Sequence, residues 1–544
     1  MAKPVFKELP LSKPSLFPTD IFERIGKDHP VRLVDMLVDK LDLSILYSRY
    51  KGGGASSYHP KMMLKVLFYA YLNNTYSCRK IEKALEENIH FMWLSGNSTP
   101  DFRTINNFRG KRLKDIIMRL FGEVVKLLKD LDCISLEVQY IDGTKIEATS
   151  NRYTFVWRKS VERYKSDLDK KLKVILADIE SQIQSDNQEE NTLSLPQEID
   201  SETLKKKVDE LNEKLKKKDQ PNKEAKSQLK KINKEFLPRL QKYEAQLENL
   251  GDRNSYSKTD LDATFMRMKD DHLGTAPSKP AYNAQISTEN QFVTNFTIHQ
   301  TPGDTTTFIN HLQNFEALYG LRSKEIVADA AYGSQENYAF LFSQRMIPYV
   351  KFSYYHKEQK KSFKENLYLA QNLKYNKEED YFLCPSGQPM LNIGTGIRKS
   401  STGFETTVIN YEARNCEGCQ LRENCHKSEG NRQIEINTQL NEYKEHVREL
   451  LKSEKGIKHR KKRPIEPESV FGQLKYNNKF SRFTFRGLEK VILEFGLMVI
   501  GHNLRKMALF YFKITFSYCE HLWRLWLEFL KIQNSKSINF QYSY

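Results

Sequence analysis

From residue 29 to about residue 131 the apolar positions recur at helical spacing. Val34, Leu37, Val38 and Leu41 form one stripe, and Pro60 opens a second, largely buried helix over KMMLKVLFYAYLNN. Ser77 is placed to cap a third helix, CRKIEKALEENIHFMWL. Thr99 and Pro100 read as the cap and first position of a long fourth helix reaching Lys129. The period then changes. Leu136, Val138 and Tyr140 share one parity against Glu137 and Gln139, so Ser135 to Ile146 reads as a strand, with Asp142 and Gly143 where the alternation fades.

Between Val161 and Leu250 the chain turns to Lys, Glu, Gln, Asp and Leu, with stripes at Tyr164, Leu168, Leu172, Ile175 and Ile179, at Leu204, Val208, Leu211 and Leu215, and from Leu229 to Leu247. Such stripes predict amphipathic helices packed on one another, folded back near Asn187 and at Pro221. This segment is expected to be a structural arm, with dimerisation or DNA contact as the functional alternative. Alternating segments return at Tyr282 to Ser287 and Gln291 to Ile298. A helix from Thr306 to Tyr319, the short strand ending at Asp329, a turn at Gly333 and a helix from Gln335 to Gln344 follow. Strand and helix in alternation predict an α/β sheet that resumes after the arm, bringing Asp142 and Asp329 together.

Charge narrows the partners. A formal charge of +17 over 544 residues favours a polyanion, because each neutralised phosphate releases condensed counterions. Arg103, Arg109, Lys111, Arg112 and Lys114 crowd the first half of the fourth helix, as expected of a helix laid against DNA backbone, although a solvated helix face would look alike. The opening residues hold no apolar stretch of signal-peptide length. The two most hydrophobic segments, Val491 to Gly501 and Ala508 to Phe529, are interrupted by charges and read as core helices, so a cytoplasmic protein without a membrane span is expected.

Seven cysteines are too few for a disulfide scaffold. Cys384, Cys416, Cys419 and Cys425 cluster instead, and the Cys416–Cys419 pair has the spacing that turns two thiolates onto one tetrahedral ion. A structural Zn2+ with Cys384 and Cys425 completing the set, or His426 as substitute, is expected against buried thiols as the alternative. The glycines between them suggest a hairpin-rich insertion.

The basic run His459 to Arg463 leads into PESVFGQLKYNNKF, where Glu468, Gly472 and Lys475 fall on one helical face. By themselves these could be surface ion pairs. The ordered segments YIDGTKIEA, TDLDATFMRMKDD, KPAYNAQ, ADAAYGSQENY, PESVFGQLK and FSRFTFRGLEKV, with SYHPKMMLKVLFYAYLNNTYSCRKIE before them, resemble the successive blocks of bacterial insertion-sequence transposases with a DDE triad. The resemblance covers nearly the whole chain apart from the arm and the extreme ends.

That resemblance implies an RNase H-like mixed-sheet core, with Asp142, Asp329 and Glu468 as catalytic acids binding Mg2+ (Mn2+ as substitute) and Lys475 beside them. It implies cleavage and joining of double-stranded DNA at the inverted-repeat ends of an element and at a target, by a homo-oligomer assembled on DNA in the bacterial nucleoid. Arg460, Arg463, Lys475 and Arg486 join the helical-module cations as expected DNA contacts. Related proteins carry Arg four positions before the glutamate; here position 464 is Pro and Arg463 is its neighbour. Glu466 is the rival third acid. A nuclease of the same fold that does not join strands, and a DNA-binding inactive remnant, stay open as alternatives.

The implied division is an extension (1–28), a helical DNA-binding domain (29–131), the first part of the core (132–160), the arm (161–250), the continued core (251–350), the cysteine-rich insertion (351–455), the glutamate-bearing part (456–510) and an aromatic-rich tail (511–544).

Overall fold

The computed structural model describes residues 20–50, 56–184, 199–216, 223–269 and 275–510. The turns expected near Asn187 and Pro221, and most of the Ala508 to Phe529 segment, lie outside them.

The apolar stripes of the N-terminal part form the helices Pro30–Lys40, Pro60–Leu72, Cys78–Glu87, Ile89–Ser95, Phe102–Asn107 and Ile117–Asp130. Two of the expected helices are divided. At Asn88 the backbone is extended and the side chain accepts from His90 N–H (2.9 Å), so the third helix ends and a short one begins. The fourth is capped by Asp101 rather than Thr99, its carboxylate accepting from Thr104 N–H at 2.6 Å. A π-turn over Phe108–Arg112 then interrupts it before Ile117. Periodicity places apolar faces but is blind to a one-residue insertion that leaves them facing the core.

The strands are β1 (Val138–Glu147), β2 (Phe155–Trp157), β3 (Ser255–Ser257), β4 (Thr264–Arg267), β5 (Ser278–Glu289), β6 (Phe292–His299), β7 (Glu325–Ala328) and β8 (Ile347–Val350), with β9–β13 (Lys374–Asn376, Tyr381–Leu383, Pro389–Lys399, Glu405–Ala413 and Gln433–Ile436) in the insertion. The main sheet is mixed. β1 lies at its centre, antiparallel to β5 and parallel to β7, with β8 parallel outside β7 and β4 and β6 sharing the far edge of β5. Both faces are covered, which explains why Gln139, on the parity expected to be polar and exposed, is buried; it donates to Ser323 and accepts from Ser287.

One hydrophobic core joins the N-terminal helices to the sheet through helical residues 488–510. Two glycines permit the close approach. A Cβ on Gly496 would meet Ile117 at 2.5 Å, and one on Gly501 would lie 2.9 Å from the backbone carbon of Tyr71. The arm has its own core, where Leu168, Leu172, Leu176 and Ile179 meet Leu204, Val208, Leu211 and Leu240. It leaves the body at the β2–β3 ribbon, with Arg158 N–H bonded to Asn254 O at 2.9 Å. The insertion is a five-stranded sheet, in line with its hairpin-rich composition.

Candidate functional site

Strand register brings the aspartates together. β1 and β7 pair in parallel with Tyr140 opposite Val327, so the same register continued two residues sets Asp142 level with Asp329. Residues level in a parallel pair project to the same face. Asp329 leaves the end of β7 and caps a short 3-10 turn, accepting from Ala331 N–H at 2.9 Å. Asp142 instead lies inside its strand: β1 runs on to Glu147, one residue past the expected Ile146, because it still pairs with β5 there. It is the partner β7 that stops.

Glu468 arrives from the opposite direction, and not at the start of a helix as expected. It closes a π-turn, Pro464–Glu468, that continues the Glu454–Lys462 helix and passes into Ser469–Gly472. Pro464 and Pro467 lack the N–H groups of regular α-helical bonding, which favours the wider turn. In that turn residues five apart, not four, come into line. Arg463 therefore reaches Glu468 (Nη1 to Oε1, 2.9 Å) while its Nη2 lies 3.2 Å from Asp142 and 3.5 Å from Asp329. One buried guanidinium thus holds all three carboxylates.

Burial pushes the Asp142 carboxyl up to about 6, with Arg463 opposing the shift and Asp329 adding to it. Lys475 comes up beside β1, donating to Thr144 Oγ1 (2.6 Å) and Lys145 O (2.9 Å). Burial lowers its ammonium to about 8, helped by Lys269. Lys351 is lowered by burial and by Arg463, against the pull of Asp329. A rim of cations thus faces the acids.

The rival Glu466 is turned away. It is buried under the β5–β6 turn, accepting from Gln291 N–H at 2.7 Å. Asp304 was not anticipated. It accepts from Asn283 (2.7 Å) and Gln285 (2.9 Å) beside β1, and Tyr332 donates to Gln285 from the other side. A Cβ on Gly143 would fall 2.2 Å from the Gln285 amide nitrogen and 2.8 Å from Asp304, so the residue after Asp142 must be glycine for this network to close. The only signal in the sequence was an acid in the PGD turn after β6.

Among the described residues no group of three or more His, Cys, Asp or Glu is assembled closely enough to hold a metal ion as it stands. At the carboxylates a cation already sits among the oxygens, and three hard anionic donors sharing one cation fit Mg2+ in donor chemistry. Cys384, Cys416, Cys419 and Cys425 do line one small pocket with His426 and Arg432. There Gln388 N–H and Arg432 N–H donate to the sulfurs of Cys384 (3.3 Å) and Cys416 (3.4 Å), and the Arg432 guanidinium donates to Cys425 at 3.0 Å.

The expected DNA contacts are dispersed. Arg103, Lys111 and Arg112 are exposed. Arg109 is buried, its Nη1 donating to Tyr71 OH and Tyr76 O, and Lys114 is paired with Glu489. Arg460 lies over the Tyr355 ring, Arg486 donates to Thr149 O at 2.8 Å, and Arg463 is engaged by the acids. His459, within the basic run, is buried between Tyr140 and Glu325.

Family comparison adds two matches. A transposase DDE domain matches residues 383–508, and a transposase domain, DUF772, matches residues 19–111. The first span contains Glu468 and Lys475; Asp142 and Asp329 lie outside both. No curated protein and no solved structure matches the chain.

Proposed function

We propose that the chain is an insertion-sequence DDE transposase, a reading that the two family matches support, and that it binds the inverted-repeat ends of a mobile element and carries out metal-dependent cleavage and strand transfer of double-stranded DNA. The observation that carries this reading is the convergence of Asp142, Asp329 and Glu468 on one buried guanidinium. The strand order, with a central strand antiparallel on one side and parallel on the other, supports an RNase H-like core.

In this reading Asp142, Asp329 and Glu468 hold divalent metal after Arg463 gives way. Metal bound there would supply Lewis acidity to an attacking oxygen and offset charge on the leaving oxygen of a phosphodiester. The chain's own groups do the rest. Lys475 and Lys351 draw the phosphate toward the acids and fix its position. The amides of Gln285 and Asn283 hold Asp304 in place beside Gly143, stiffening β1 where Asp142 projects. Arg463, released from the carboxylates, is free to neutralise a phosphate of the bound strand. Assembly as a homo-oligomer on DNA, and action at the nucleoid in the cytoplasm, belong to the same reading.

The test is incubation of the purified chain with duplex DNA carrying the element's own ends, with and without Mg2+, followed by mapping of nicks and joined products. Nicks at the ends together with joined strands are expected. Nicks with no joining would reassign the chain as a nuclease, and binding with neither product as an inactive remnant.

A further inference from the structure

A cleft of about 840 Å³ lies between the start of the Cys78–Glu87 helix, the Phe102–Asn107 helix and the segment Thr484–Phe485. Its lining carries Arg79, Lys80, Arg103 and Arg109 and no carboxylate. Arg79 and Arg103 both lie over the ring of Phe102, 4.7 and 5.6 Å from its centroid. Neither is ion-paired among the described residues, Asp101 acting on Arg103 only through space, so the two guanidiniums present little-compensated positive charge at the cleft.

Two further features point the same way. The Cys78–Glu87 helix starts at the cleft with no acid in its first turn and no capping bond from Ser77, so its positive end carries no side-chain cap there. Arg109, only 5% exposed, lines the cleft with its Nε unpartnered, and its guanidinium lies over the Phe485 ring at 4.5 Å. The far wall is fixed, because Glu494 accepts from the backbone N–H groups of Thr484 and Phe485.

We propose that this cleft binds a phosphodiester of the DNA strand, with Arg79 and Arg103 clasping the phosphate oxygens and the helix end facing them. It is a second anchor, built jointly by the N-terminal helices and the segment that follows the glutamate helix. The proposal rests on the reading that the chain acts on DNA. Planar guanidiniums held over an aromatic ring are preorganised for bidentate contact with phosphate, which a lone surface lysine is not.

The test uses the full chain and a fluorescein-labelled DNA duplex, with binding followed by anisotropy over a series of KCl concentrations. The double variant Arg79→Gln/Arg103→Gln should weaken binding about tenfold, the loss of a charge-assisted contact, and should lower the salt slope by roughly one. The control Lys374→Gln/Lys377→Gln, which removes the same charge from the insertion sheet, should leave both unchanged. An unchanged slope in the Arg79/Arg103 variant, or an equal change in the control, overturns the proposal while the wild-type binding leaves the functional reading standing. Failure of the wild-type chain to bind the duplex at all sinks both. Calorimetry with inorganic phosphate separates a free-anion site: loss of phosphate binding in the variant with duplex binding intact also overturns it.

Discussion

Arg463 Nη1 lies 2.9 Å from Glu468 Oε1, five residues on along the chain. In a regular α-helix that separation would splay the two side chains apart, since neighbours on one face lie three or four residues apart. The π-turn over Pro464–Glu468 adds one residue to the turn and restores the facing. Arginine at the fifth position before the glutamate thus meets the acid that an arginine at the fourth position would meet in an unbroken helix, and Pro464 is part of the reason.

The first prediction concerns this arginine. Without it, three carboxylates face one another uncompensated, and breaking a buried pair while leaving its partners costs more than the pair contributed. Arg463→Gln should destabilise the metal-free protein by about 1–3 kcal/mol, less than a fully buried pair would cost, because Asp329 and Glu468 are partly solvated. Added Mg2+ should raise Tm more in the variant than in the wild type, because the ion no longer has to displace a guanidinium. Equal Mg2+-induced shifts in both proteins would show that Arg463 does not compete for the site.

Acid sensitivity is a second consequence of burial. Burial lowers His311 to about 3, and His299 and His502 to about 4. All three are neutral in the fold but would charge near 6.5 once unfolded. The unfolded chain therefore binds more protons below pH 6.5. The stability these groups provide is complete above that pH and is lost as pH falls toward 4, by about 1.4 kcal/mol per pH unit for each group. Thermal melts between pH 7.5 and about 4.5 should fall steeply below 6.5, and His502→Gln should make the fall shallower. A slope unchanged in that variant would remove His502 from the account.

How much of this could be read along the chain follows from what periodicity records. The helical stripes and β1 and β5 to β7 were legible because their apolar spacing is local. Asp142 and Asp329 were legible as a pair because acids beside strands in an α/β pattern converge. The open edge beside Asp142 was not, since it depends on where the partner β7 stops. Nor was the Arg463 clasp, which depends on a turn type that two prolines favour without dictating. Arg109 looked like one more basic residue on an exposed helix; its burial against Tyr71 and Phe485 comes from segments hundreds of residues apart in one case.

The cysteine pocket yields a third prediction. Cys384, Cys416, Cys419 and Cys425 line one pocket, and four sulfur donors gathered there suit a tetrahedral Zn2+. Metal analysis of the purified chain should find close to one zinc per molecule, lost on the double change Cys416→Ser/Cys419→Ser. A fully folded chain free of zinc would end this expectation.

The measurement that bears most directly on the central reading is Mg2+-dependent cleavage and strand transfer on the element's ends, by the wild type and by Asp142→Asn, Asp329→Asn, Glu468→Gln and Glu466→Gln, with DNA binding measured alongside. The first three remove a ligand charge and keep the shape, so binding should persist while both reactions fall by orders of magnitude. Glu466→Gln loses a charged acceptor for Gln291 N–H beneath the β5–β6 turn, so it should lower Tm and spare the chemistry. Near-normal cleavage by Glu468→Gln, with cleavage abolished in a folded Glu466→Gln, would contradict the assignment and move the third acid two residues upstream.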